Sequence, residues 1–139
     1  MANYQGILVC CEVIDRQITT TTKELLNIGR GLCDELNQPL SALIIGTHPQ
    51  ETINETIGLG AEKVYVVNSS SFTESHPDVY VTIITKVSQQ IGPSIILFGH
   101  TDIGREVAPR LAARLGTTVV TDCTELAIDP QTRKRLQTK

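Results

Sequence analysis

The chain reads as a three-layer, doubly wound α/β domain with a mostly parallel sheet, and three observations predict it. Short apolar runs alternate repeatedly with amphipathic segments along the chain. Several of those runs are nearly continuous rather than alternating, as in strands buried on both faces. The connections are short and carry glycine, proline and asparagine at the turns. Strands that alternate with helices in this way build a parallel sheet with helices on both sides. The expected core has five parallel strands in the order 3-2-1-4-5, with room for an added strand after Asp129. At 139 residues the chain suits one domain spanning 1–139, with a single good core.

The first strand is the run Ile7-Leu8-Val9-Cys10-Cys11-Glu12-Val13-Ile14. Thr21 and Glu24 have the spacing of a capping box, and Leu25, Ile28, Leu32 and Leu36 recur at helical intervals, which predicts a helix over 22–37. Leu40 to Gly46 follows as a strand, Gln50 to Leu59 as a helix, and Lys63 to Asn68 as a strand after the Gly60 turn. The polar stretch from Asn68 to Asp78 is the longest loop. It leads into a helix carrying Val79, Ile83, Ile84 and Val87 that ends at Gly92-Pro93. Ser94 to Gly99 is a further strand, Asp102 to Leu115 a helix, and Thr117 to Thr121 a strand running on towards Ile128. In that last helix Ile103, Val107, Leu111 and Leu115 form a core stripe, and Glu106 and Arg110 form an ion pair four residues apart. Pro109 removes one helical hydrogen bond, so a kink or a late helix start is expected. The stretch from Gln131 to Lys139 has four basic residues in nine and reads as a solvated tail or linker.

Composition narrows the function. A formal charge of −3 and 4% aromatic residues fit neither a nucleic-acid surface nor a base-stacking platform. No apolar run reaches the ~18 residues of a membrane helix, and Met1-Ala2-Asn3-Tyr4 lacks a basic signal-peptide flank, so a cytoplasmic protein without membrane insertion is expected. Cysteines stand at 10, 11, 33 and 123 without paired spacing, and they read as reduced packing residues. His48, His76 and His100 fall in loops with no helical partner at metal-ligand spacing, so no metal site is expected. No local signature supports a Cys-His nucleophile, and no catalytic residue is assigned.

The most informative local feature is Gly99-His100-Thr101-Asp102-Ile103-Gly104-Arg105-Glu106, a glycine-containing turn between a strand and a helix. Such a turn aims backbone N–H groups at an anion. It has the G-x-x-x-x-G frame of a phosphate-binding loop, yet Arg105 stands where the lysine belongs and Glu106 where the metal-binding hydroxyl belongs. A carboxylate at that position repels phosphate, which argues against nucleotide hydrolysis. Gly99, Thr101, Gly104 and Arg105 are therefore candidates for a vestigial anion site only. The plainer reading is that both glycines permit a tight connection. The first strand–helix turn, Glu12-Val13-Ile14-Asp15-Arg16, has no glycine, so the dinucleotide fingerprint is absent. Any residual ligand is expected near Cys11, Glu12 and the stretch from Gly99 to Arg105.

The stretch from Gly99 to Gly116, with Gly104-Arg105-Glu106-Val107-Ala108-Pro109-Arg110-Leu111-Ala112-Ala113-Arg114-Leu115-Gly116 inside it, leads into Val119-Val120-Thr121-Asp122. It resembles the alpha subunit of electron-transfer flavoprotein. Glu12, Glu24-Leu25-Leu26 and Gly60-Ala61-Glu62-Lys63-Val64-Tyr65 are similar to the same family's N-terminal domain, so the resemblance covers essentially the whole chain. It implies a Rossmann-like fold of the adenine nucleotide alpha hydrolase-like kind. It also implies a heterodimer in which alpha and beta subunits pass electrons from flavin dehydrogenases to a downstream acceptor. FAD would be held mainly by a C-terminal domain, which is expected to be absent here because Lys139 falls about where the family's chain passes towards it. No FAD site is expected within 1–139, and subunit association and scaffolding are the implied roles. A free-standing adenine-nucleotide-binding module is the alternative.

Overall fold

The computed structural model describes residues 6–14, 17–45, 50–67, 77–99, 101–116, 119–121 and 125–128. In chain order the elements are β1 (Ile7–Cys10), β2 (Val13–Ile14), β3 (Gln17–Ile18), α1 (Thr20–Leu36), β4 (Leu40–Ile45), α2 (Gln50–Gly58), β5 (Lys63–Val67), α3 (Pro77–Ile91), β6 (Ile95–Gly99), α4 (Asp102–Leu115), β7 (Val119–Thr121) and β8 (Glu125–Ile128). His48, His76, His100, Cys123, the residues after Asp129 and most of the expected polar loop lie outside the described residues.

One sheet has the order β5-β4-β1-β6-β8-β7. Its first four strands are mutually parallel, with Ile7 opposite both Leu40 and Ile95, and Leu43 opposite Tyr65. This is the expected 3-2-1-4 core. The side chains explain why it forms. Ile7, Val9, Leu40, Ala42, Ile44, Ile95 and Leu97 join Leu25, Leu26 and Cys33 of α1 in one cluster. Leu8, Leu43, Ile96 and Phe98 join residues of α3 and α4 in a second. Strand side chains alternate between the two faces, so a strand apolar at every position is one that must be covered on both.

The fifth strand departs from expectation. Thr117 to Thr121 was expected beside β6, running on towards Ile128. Instead β8 pairs antiparallel with β6, placing Phe98 opposite Leu126, and β7 pairs antiparallel with β8 at the sheet edge. The helix α4 separates β6 from β7, and only the short connection after Thr121 separates β7 from β8, the kind of link an antiparallel pair needs. Residues 125–128, apolar from Leu126 onwards, take the place next to β6 that the parallel order assigns to strand five.

Three smaller corrections have local causes. The first strand ends at Cys10 rather than Ile14: the Glu12 N–H turns to the Thr22 hydroxyl at 2.9 Å, and Val13–Ile14 pairs antiparallel with Gln17–Ile18. The cap of α1 is Thr19, whose hydroxyl accepts from the Thr22 N–H at 3.1 Å, so Thr21 lies inside the helix. The buried face of α1 is Thr22, Leu25, Leu26, Gly29 and Cys33, while Leu36 is exposed. Gly29 marks the closest approach, since a Cβ there would lie 2.8 Å from Leu40 Cδ1.

The helix α3 buries Val81, Ile84 and Val87, and Val79 is exposed. In α4 Val107 and Leu111 are fully buried, with Ile103 and Leu115 packed against them, as the stripe predicts. Glu106 pairs with Arg110 at 3.7 Å, and Arg110 also reaches Asp78 at 2.6 Å. The helix runs unbroken through Pro109 from Asp102, so no late start occurs, and the Arg105 carbonyl forgoes the bond that Pro109 cannot donate. Gly116 ends the helix in the left-handed conformation, φ 72°, and its N–H returns to Ala112 and Ala113.

Candidate functional site: the crevice at the switch point

From β1 the chain moves outward through β4 to β5, then returns to the other side of β1 as β6. The strand order therefore reverses between β1 and β6, and the crevice beyond their carboxyl ends is where doubly wound sheets receive ligands. Cys11 and Glu12 stand at one lip. Gly99, Thr101 and the first turn of α4 stand at the other.

Local sequence builds this turn. Thr101 adopts an extended conformation and caps α4, its hydroxyl accepting from the Gly104 N–H at 3.1 Å. The same hydroxyl donates to Glu12 Oε2 at 2.6 Å. Glu12 is fixed from its own side by the first turn of α1. Its N–H donates to the Thr22 hydroxyl, and its carbonyl accepts from the Thr19 N–H at 3.1 Å and from the Thr22 hydroxyl at 3.3 Å.

Both glycines have steric reasons. A Cβ on Gly104 would lie 1.9 Å from the Gly99 carbonyl oxygen, and one on Gly99 would lie 2.6 Å from Thr21 Cγ2. The helix thus starts directly on the end of its own strand, which only glycine allows. Three of the four anion-site candidates, Gly99, Thr101 and Gly104, come together here, and the Gly104 N–H is taken by Thr101. The fourth, Arg105, pairs its guanidinium with the exposed Asp102 on the first turn of α4.

The described cysteines are all shifted towards the neutral thiol. Burial pushes the Cys10 thiol well above its ordinary value, reinforced by Cys11 and Glu12. Burial likewise pushes Cys11 up to about 12, against a partial pull from its backbone bond to Leu43. Cys33, on the buried face of α1, is pushed up to about 11 by burial. Neutral thiols are poor nucleophiles and poor metal ligands. Burial also raises the Glu12 carboxyl, and the Thr101 hydrogen bond draws it partly back. Among the described residues no group of His, Cys, Asp and Glu is placed to hold a metal ion. None of the described helices is long and apolar enough to cross a membrane.

A cavity of about 230 Å³ lies at the opposite end of the sheet, between Gly6, Pro39, Ser41, Lys63, Tyr65 and Pro93. It sits beside the amino ends of the strands, away from the switch point.

The sequence reading placed Glu12 and the turn together but missed Thr19 and Thr22, which anchor Glu12. The run Thr19-Thr20-Thr21-Thr22 held the signal. With adjacent threonines, spacing alone did not show which one caps the helix.

Fold and crevice together define a Rossmann-like, three-layer α/β domain built on a four-stranded parallel core. The chain belongs to the electron transfer flavoprotein domain family, which matches residues 7–138. It is 32% identical over 138 residues to the electron transfer flavoprotein subunit alpha of Clostridium acetobutylicum, covering 99% of this chain and 41% of that protein. It is 36% identical over 127 residues to the acryloyl-CoA reductase electron transfer subunit beta of Anaerotignum propionicum, covering 91% of this chain and 35% of that protein. With subunit LctC of the lactate dehydrogenase (NAD(+),ferredoxin) of Acetobacterium woodii it shares 34% identity over 129 residues, 93% of this chain and 31% of that protein. The chain thus spans about two-fifths of these relatives or less. The resemblance drawn from the sequence, to an alpha-subunit N-terminal domain, is borne out by the family match and by the alpha-subunit relatives.

Proposed function

We propose that residues 1–139 act as the scaffold and subunit-association domain of an electron-transfer flavoprotein alpha-type subunit. In this reading the complete protein pairs with a beta subunit and carries electrons from flavin dehydrogenases to a downstream acceptor. FAD is held by a further domain outside these residues, and this domain performs no flavin chemistry. The observation that carries the reading is a family match over nearly the whole chain joined to a switch-point crevice with no dinucleotide fingerprint. One of the N–H donors that such a turn could offer a phosphate, that of Gly104, already has an internal partner.

The experiment is co-expression of the complete alpha-type subunit with the beta subunit from the same genome. A complex that retains FAD is expected. Deleting residues 1–139 should weaken assembly while the remaining part still binds FAD. Loss of FAD with unimpaired assembly would reverse the assignment. The alternative, a free-standing adenine-nucleotide module, is favoured only by the glycine-containing turn and requires tight nucleotide binding by the chain alone.

A further inference from the structure

Doubly wound sheets commonly receive a phosphate at the switch point, against the N-terminus of the helix that follows the strand. Here the Glu12 side chain already stands against that helix start. The Glu12 carboxylate reaches across from the end of β1, takes the hydroxyl proton of Thr101 in a 2.6 Å bond, and comes within 3.4 Å of where a Cβ on Gly99 would lie. Thr101 in turn holds the Gly104 N–H, so one hydroxyl links a carboxylate to the first turn of α4. On the other side the Glu12 backbone is clasped by Thr19 and Thr22 at the start of α1. The carboxylate therefore lies beside the start of α4, joined to it through Thr101.

We infer that Glu12 is a built-in occupant of the crevice: a carboxylate clasp that fills the place an anionic ligand would take and fastens the end of β1 to the cap of α4. The inference rests on the scaffold reading above and gives it a physical cause. The domain takes no phosphate because one of its own side chains stands in that position. In this arrangement Glu12 and Thr101 are positioning residues. Their bond exchanges no atoms with a ligand and fixes the relative placement of β1, α1 and α4.

The test is titration of the chain with inorganic phosphate, read by calorimetry and by Tm at matched ionic strength. Wild type is expected to show no saturable binding. Glu12→Gln keeps the length of the side chain and an acceptor for Thr101, and it is expected to show none either. Glu12→Ala is expected to bind phosphate saturably and to gain more Tm in phosphate than wild type does. A folded Glu12→Ala that binds no phosphate overturns the inference. So does Glu12→Gln binding as tightly as Glu12→Ala, because charge rather than occupancy would then exclude the anion.

Where Glu12→Ala does not fold, a second measurement decides. Thr101→Val should lower Tm more in the wild-type background than in the Glu12→Gln background, since a charge-assisted bond is the stronger one to lose. Equal losses would mean that the charge of Glu12 adds nothing to its bond with Thr101, and would overturn the carboxylate clasp. Phosphate binding by wild type would sink the scaffold reading itself, whereas failure confined to the variants would sink only the clasp.

Discussion

Replacing Gly104 with alanine adds only one carbon and two hydrogens, yet the geometry makes it a disruptive change at the start of α4. The new Cβ would stand 1.9 Å from the Gly99 carbonyl oxygen, and to reach even 3.0 Å the helix start must retreat by about 1.1 Å. That oxygen belongs to the backbone at the end of β6 and cannot swing aside like a side-chain tip. Retreat pulls against Val107, Ala108, Leu111 and Ala112, all buried in the second cluster. It also stretches the bond from the Gly104 N–H to Thr101. Overpacking of this kind costs about 1–3 kcal/mol, and a lost cap about 1 kcal/mol more. A destabilisation of roughly 2–4 kcal/mol is therefore expected, measured by urea unfolding. Gly31→Ala is the control. Gly31 lies in α1 with nothing within 4 Å of a Cβ, so alanine should stabilise by roughly 0.5–1 kcal/mol. Gly104→Ala within about 0.5 kcal/mol of wild type, at the ordinary scatter of surface substitutions, would refute the direct seating of α4 on β6.

The remaining expectations are briefer. Leu111→Asp should abolish folding, because an unpaired carboxylate in the second cluster costs several kcal/mol; an unchanged Tm would remove Leu111 from the core. Arg110→Ala should cost under about 1 kcal/mol, since its pairs with Asp78 and Glu106 are solvent-exposed; a larger loss by urea unfolding would show that the pairs act as a stabilising network. Glu12 sets a pH dependence. Its folded pKa is raised, so the folded state binds more protons than the unfolded one between the ordinary glutamate value and the raised one. Its contribution is fully present below the ordinary value and is lost as pH rises through the raised one, while Cys10 and Cys11 stay neutral nearby. Glu12→Gln should therefore gain on wild type as pH climbs from 4 to 7 in unfolding titrations, and a constant difference would contradict it.

The parallel core was legible because strands buried on both faces carry apolar residues at nearly every position, as Ile7 to Cys10 and Ile95 to Phe98 do. The helix faces were less legible. Counting only large apolar residues put Leu36 on the buried side of α1, whereas to Leu25 and Leu26 the contact face adds Thr22, Gly29 and Cys33, small groups that let the helix come close. The order of the last two strands was hidden for a different reason. Residues 117–128 read as one extended run, and a reversal between Thr121 and Glu125 left no glycine or proline there to announce it. At the crevice, local spacing revealed the turn and its two glycines. The bond from Thr101 to Glu12 joins residues 89 apart, and no local pattern encodes such a contact.

The proposal that this domain supports an electron carrier without itself holding nucleotide is tested most directly by calorimetric titration of the chain with FAD, AMP and ATP. No saturable binding is expected for any of the three at micromolar concentrations. Micromolar affinity for AMP or ATP, about −8 kcal/mol, that disappears in Arg105→Ala would contradict it and establish a nucleotide-binding module instead.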